Sequence, residues 1–189
     1  QWESRELNAK ILSHAIDTKD DPKWKLSGAT SKQEYEDWSW VGCGMACTKM
    51  LLAHKTGKII PLVELGKKCT EYGGYSYPLK ESKGLHYVPY VKFIKAEFGL
   101  NAKLIVPLII DEVITALNAE YYVIASVSPD IRTPEVNPTH KGGHLVLMLG
   151  YDLNEKEFYF HNPSGISTST QEYASISFDD FSKFFGQRG

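Results

Sequence analysis

Over the first hundred residues, apolar positions recur mostly at helical intervals; further along they become short continuous or alternating runs broken by turn residues. The opening "SRELNAKILSHAI" predicts a helix that packs on the body of the domain, and "DTKDDPKWKLSGATSK" an irregular charged loop. From Gly44 onward, Met45, Ala46, Met50, Leu51 and Leu52 build one buried helical face that Gly57 ends, so this helix is expected to run through the centre of the domain. "PLVELGKKCTEYGG" opens on Pro61, suited to a first helical turn, and closes on a glycine pair, which predicts a short helix carrying Cys69 as a core residue. "GLHYVPYVKFIKAEFGL" predicts another amphipathic helix. After it come a strand "AKLIV", a helix "IIDEVITALNA" and a β-branched run "YYVIASVS".

The pattern then changes. "GGHLVLMLGYDLNEKEFYFHNPSG" reads as an apolar strand, a polar turn at Asn154 to Lys156 and an aromatic returning strand, which together make a hairpin. A last strand, "YASISF", leads into a short helix, "DDFSKFFG". Helices first and an antiparallel sheet after them define an α+β fold, with no internal repeat or low-complexity tract.

Composition narrows the classes of function. A chain of 189 residues suffices for one core and one domain, and a net charge of -2 gives no pull toward nucleic acid or an anionic membrane. No segment is long and apolar enough to span a bilayer, and the opening residues lack a signal-peptide core. The sequence starts at Gln1 rather than Met, so a removed export signal stays open and localisation is unknown, either exported or cytoplasmic. Cys43, Cys47 and Cys69 form an odd set without the spacing of a disulfide framework or a four-ligand zinc site, which leaves at least one free thiol.

The stretch "DWSWVGCGMACTKMLLAHKTG" sets Cys43 at the start of the central helix. A helix start carries unpaired N–H groups and the positive end of the macrodipole, so a thiol there is biased toward thiolate; against this, most free cysteines are small buried hydrophobes. Among six histidines, His14, His54 and His86 fall on polar helix faces or in a loop, whereas His144 opens an apolar strand directly after Gly142 and Gly143. Glycines there let a ligand or another backbone approach the imidazole, although a satisfied core histidine fits the same position. In the hairpin, the end of the second strand returns beside the start of the first, which brings Asn162 or His161 next to His144. Asn162 has the better chemistry, since its amide oxygen accepts the imidazole N–H and fixes the tautomer. A thiol at a helix start, a histidine on a strand and an orienting amide make up the Cys-His-Asn arrangement of thiol acyl-transfer enzymes.

These residues resemble a known family. "CGMACTKMLL" is similar to the Cys-Gly-x-Ala-x-x-x-Met signature of C39-like peptidases, which are papain-fold cysteine enzymes. "GGHLVLMLGYD" and "FYFHNPSG" resemble their histidine strand and Asp/Asn-Pro turn, and the tail "FDDFSKFFGQRG" is also similar. The resemblance implies a papain-like α+β fold in which N-terminal helices and a central nucleophile helix pack on a mostly antiparallel sheet. It further implies a catalytic domain over residues 33–189, with residues 1–32 as an extension packed on it. Cys43 matches the nucleophile and Cys47, one turn later, a core position.

One position departs from the pattern. Papain-like enzymes carry a Gln shortly before the cysteine as an oxyanion donor, and here the usual offset lands on Asp37. Gln33 could reach the site if "EYEDWSW" loops out, and the indoles of Trp38 and Trp40 are further donors.

The resulting expectation is a cysteine peptidase or amide hydrolase working through an acyl-thioester on a peptide or protein substrate, as a monomer and without cofactor or metal. "PLKESKGLHYVPY" and "SPDIRTPEVNPTHKGG" are its expected specificity loops. The rivals are a transferase or deamidase using the same residues, a papain-like module that binds peptide with little turnover, and a zinc site from His140, His144 and a cysteine.

Overall fold

The computed structural model describes residues 1–189 and divides the chain into two compact units, Gln1–Leu104 and Ile105–Gly189. The first is helical. A short helix α1 (Asn8–Leu12) and three 3-10 turns, Arg5–Leu7, Thr18–Asp20 and Trp24–Ser27, precede α2 (Lys32–Val41), α3 (Cys43–Thr56), α4 (Leu62–Glu71) and α5 (Tyr87–Phe98). Gly57 and Gly99 stop α3 and α5 in the left-handed conformation that glycine adopts without penalty. The core of this unit is built from Trp38, Met45, Leu52, Val63, Leu65 and Phe93; of the apolar face expected of the central helix, Met45, Ala46, Leu51 and Leu52 are buried and Met50 is half-buried. The charged loop before α2 is more ordered than its composition suggests. Asp21 is buried and accepts from Ser4 N (3.0 Å), Ser4 Oγ (2.6 Å), Lys23 N (2.8 Å) and the Tyr35 hydroxyl, while Trp2 and Ile11 pack with Tyr35.

The second unit holds helix α6 (Ile110–Asn118) and strands β1 (Val123–Val127), β2 (His144–Asp152) and β3 (Glu157–His161). After these come α7 (Thr168–Gln171), β4 (Ala174–Ser177) and α8 (Phe178–Phe184). The four strands form one antiparallel sheet in the order β1-β2-β3-β4. Val113 from α6 and Phe181 and Phe184 from α8 cover the row that includes Val146, Met148, Phe158 and Phe160. Mixed helices and an antiparallel sheet make the fold α+β, as the hydrophobic pattern predicts.

Two expectations fail locally. "AKLIV" is not a strand: Ala102, Lys103 and Leu104 are exposed and irregular, and only Ile105 exchanges backbone hydrogen bonds with Gly189, at 2.9 and 3.4 Å. Its apolar letters had suggested an element, but they have no sheet face to cover. "EYEDWSW" does not loop out either, because it is the body of α2, started by Ser31 Oγ accepting from Glu34 N.

Candidate active site

Cys43 belongs to the first unit and His144 and Asn162 to the second, and each placement has its own local cause. On the first, α2 and α3 are separated by Gly42 alone, and Cys43 is the first residue of α3. A Cβ at Gly42 would sit 2.6 Å from Trp38 O and 2.9 Å from Leu62 Cδ2, so only glycine lets the chain break one helix and begin the next this tightly. The break starts a fourteen-residue helix whose first residue is Cys43. All three thiols are free of disulfides, and Cys43 alone is part-exposed. Cys47 and Cys69 are buried; burial pushes the Cys47 thiol far above its ordinary value and that of Cys69 up to about 12. Cys47 is therefore a core residue, one turn along from Cys43.

On the second unit, β1 pairs with β2 so that Val127 faces His144, and β3 pairs with β2 so that Leu147 faces His161. Asn162 is thus the residue just past β3, beside the start of β2, and His144 Nε2 lies 2.8 Å from Asn162 Oδ1. Both side chains are buried. Asn162 Oδ1 also accepts from Ser164 N at 3.1 Å. A backbone N–H can only donate, so this bond fixes which end of the amide faces the histidine. An oxygen facing Nε2 requires the imidazole proton to be there, which leaves Nδ1 of neutral His144 as the basic nitrogen. Burial, with the Arg132 cation adding to it and the Asn162 bond partly offsetting it, lowers the His144 pKa to about 3. The ring is therefore neutral at pH 7, a base rather than a standing counter-charge.

The glycine pair ahead of His144 has positive φ at both residues, +84° and +96°, and is approached by the chain's own backbone: a Cβ on Gly186 would lie 3.1 Å from Gly142 Cα. His161, the alternative partner, faces away, its Nδ1 accepting from Tyr173 N at 3.2 Å. His140 is exposed and bonded to Thr139 Oγ1 at 3.1 Å.

The oxyanion expectation for Gln33 loses its premise. Gln33 sits on the first turn of α2, and its amide donates to Glu36 Oε2 and Asp37 Oδ1, both at 2.8 Å. Eight residues of helix to Val41 amount to a rise of about 12 Å, beyond the reach of a glutamine side chain. Asp37 accepts from Gln33 and lies 3.8 Å from Lys80 Nζ, while Trp40 is exposed and edge-on to Trp2. Trp38 is fully buried against Tyr75, its indole N–H without a partner.

Sequence reasoning missed Arg132 and Ser164. Arg132 Nε donates to Ser164 O at 3.1 Å and Ser164 Oγ at 2.9 Å, and Ser164 Oγ lies 3.1 Å from His144 Nε2. The signal for Ser164 was its place in "NPSG", where turn composition accounted for it; nothing in the order of residues joins Arg132 to it.

A part-exposed thiol at a helix start and an imidazole oriented by an amide are the equipment of thiol hydrolases. The chain belongs to the Peptidase_C39 like family, whose model matches residues 29–189, and this membership supports a cysteine peptidase-like function. No curated protein and no solved structure matches it.

Proposed function

We propose that this protein is a cysteine peptidase or amide hydrolase of papain-like fold, with Cys43 as nucleophile, His144 as base and acid, and Asn162 as the group that orients His144. Residues 33–189 would form the catalytic domain and residues 1–32 an extension on it. The observation that carries the reading is the His144 Nε2 to Asn162 Oδ1 bond of 2.8 Å, which leaves Nδ1 as the basic nitrogen in a buried setting. Family membership and the chain order Cys, His, Asn support it further.

In this mechanism Nδ1 takes the Cys43 thiol proton as the sulfur attacks the carbonyl carbon, giving a tetrahedral oxyanion. An imidazolium costly to bury forms only alongside the negative charge of the attacking group, which offsets it. His144 then protonates the leaving amine, the acyl-thioester remains on Cys43, and His144 activates the water that hydrolyses it. The backbone N–H of Cys43, at the helix start, is one oxyanion donor.

Intact-mass measurement after treatment with a thiol-reactive peptidyl electrophile tests the reading. One adduct is expected, mapping to Cys43, absent in Cys43→Ala and strongly slowed in His144→Ala. Labelling at Cys47 or Cys69 with Cys43 inert in folded protein would overturn it.

A further inference from the structure

Asn162 is not oriented by His144 alone. Ser164, wholly buried, sets it from the other side: its backbone N–H donates to Oδ1 at 3.1 Å, and its hydroxyl lies 3.4 Å from the same oxygen. Ser164 is held in turn by Arg132, which ends the 3-10 turn Pro129–Arg132 between β1 and β2. That turn is itself fixed, with Ser128 Oγ accepting from Asp130 N at 3.3 Å and Ile131 buried in the core.

Each bond limits the next. Arg132 Nε–H occupies a lone pair of Ser164 Oγ and reaches the carbonyl of the same residue, so both ends of Ser164 are tied. The serine proton is then directed to Asn162 Oδ1, and the remaining lone pair faces His144 Nε2–H. A rotated Asn162 amide would set its NH2 against Ser164 N–H, two donors without an acceptor. Arg132 cannot lose its charge, so this constraint holds at any working pH.

We propose that Arg132 is a positioning residue which, through Ser164, holds the Asn162 amide so that His144 carries its proton on Nε2 and presents Nδ1 as the base. This rests on the reading of His144 as the catalytic base. Arg132 touches no reacting atom in this scheme and acts only through Ser164. Its positive charge near the ring also disfavours the imidazolium, in keeping with the neutral resting state.

The test reads the ring directly, by correlating the ring protons of His144 with its two nitrogens in ¹⁵N-labelled protein at neutral pH. The parent protein should show a single Nε2–H tautomer. Arg132→Met, which keeps length and removes the donors, should show mixed tautomers in a folded protein. It should also lower kcat by roughly 10- to 100-fold with KM unchanged, the size expected when a reacting group is misplaced by up to about 1 Å. An unmoved tautomer in folded Arg132→Met overturns the assignment. If that variant does not fold, Ser164→Ala serves: a shifted Nε2–H resonance and a several-fold lower kcat uphold the assignment, and neither changing overturns it. Turnover is not needed to read the tautomer. A parent protein inert toward thiol labels sinks the hydrolase reading and with it the catalytic part of the Arg132 assignment, even where the tautomer shift shows that Arg132 holds the ring; an unmoved tautomer sinks the Arg132 assignment alone.

Discussion

Asn162 Oδ1 stands 2.8 Å from His144 Nε2 and accepts at the same time from Ser164 N, so the oxygen end of the amide is fixed toward the ring. Removing it should unlock the tautomer without removing the base. For Asn162→Ala we expect a loss of about 10²-fold in kcat, smaller than the loss from His144→Ala, because a misoriented base still reacts part of the time. Steady-state kinetics of both variants on a reporter amide check this; equal losses would mean that Asn162 does more than orient.

A second expectation concerns stability. An unfolded histidine titrates near 6.5, whereas native His144 does so at about 3. Between these values the unfolded state binds a proton that the native state refuses. The stability contributed by keeping the ring neutral is therefore complete above about pH 6.5 and drains away as pH falls toward about 3, at up to ~1.4 kcal/mol per pH unit. Urea unfolding of the parent and His144→Gln across this range should show a steeper acid loss in the parent. Parallel curves would mean that His144 is protonated as readily in the native state as in the unfolded one.

How much of this was legible in the sequence depends on where the cause lies. The Gly57 stop, the β2–β3 hairpin and the pairing of His144 with Asn162 follow from local period and turn chemistry, and all three are present. The α2 start is local too, since Ser31 with Glu34 three residues on forms an ordinary capped start, which is incompatible with "EYEDWSW" leaving the helix. The Asp21 anchor and the Arg132–Ser164 tie join residues 17 and 32 positions apart, and no periodicity encodes such contacts. Gly42 stands directly before Cys43 in the sequence, but the collision with Trp38 O that demands a glycine there is a property of packing.

That collision gives a third prediction. Gly42→Ala puts a methyl 2.6 Å from a backbone oxygen, an obstacle that cannot rotate away. The variant should lose about 1–3 kcal/mol of stability, as overpacked sites do. It should also label more slowly at Cys43, because the helix start must shift. Wild-type labelling together with wild-type stability would show that the junction relaxes freely.

Asp21 offers a fourth. Its Oδ1 accepts from Ser4 Oγ and Lys23 N, and its Oδ2 from Ser4 N and the Tyr35 hydroxyl. Burial alone would raise its pKa, but the hydrogen bonds from Ser4, Tyr35 and Lys23 outweigh this and hold it below the ordinary carboxylate range. Asp21→Asn has no good orientation, since its NH2 meets a backbone N–H whichever way it turns, and we expect a loss of about 2–3 kcal/mol. A depressed native pKa means that this stability is present above about pH 4 and lost as pH falls through the native value. Chemical denaturation, with proteolysis mapping whether residues before α2 detach first, checks both points.

The last prediction returns to Gln33, where family pattern and local geometry disagree. An oxyanion donor has to aim N–H groups at the carbonyl oxygen in the transition state, and losing one costs about 10²-fold or more in kcat with little change in KM. The Gln33 amide is committed elsewhere, to Glu36 and Asp37 on its own helix, and α2 holds it about 12 Å of rise before Val41. Gln33→Ala should therefore change kcat by less than about 3-fold, and surface substitutions of this kind usually alter stability by about 0.5 kcal/mol or less. Asp37→Ala, which removes the acceptor and the Lys80 partner, should be similarly mild in kcat. A 10²-fold fall in kcat for Gln33→Ala at unchanged KM would require the first turns of α2 to unwind when substrate binds. Amide hydrogen exchange over residues 32–37, with and without a peptidyl inhibitor on Cys43, distinguishes that case, since an intact helix keeps its protection in both states.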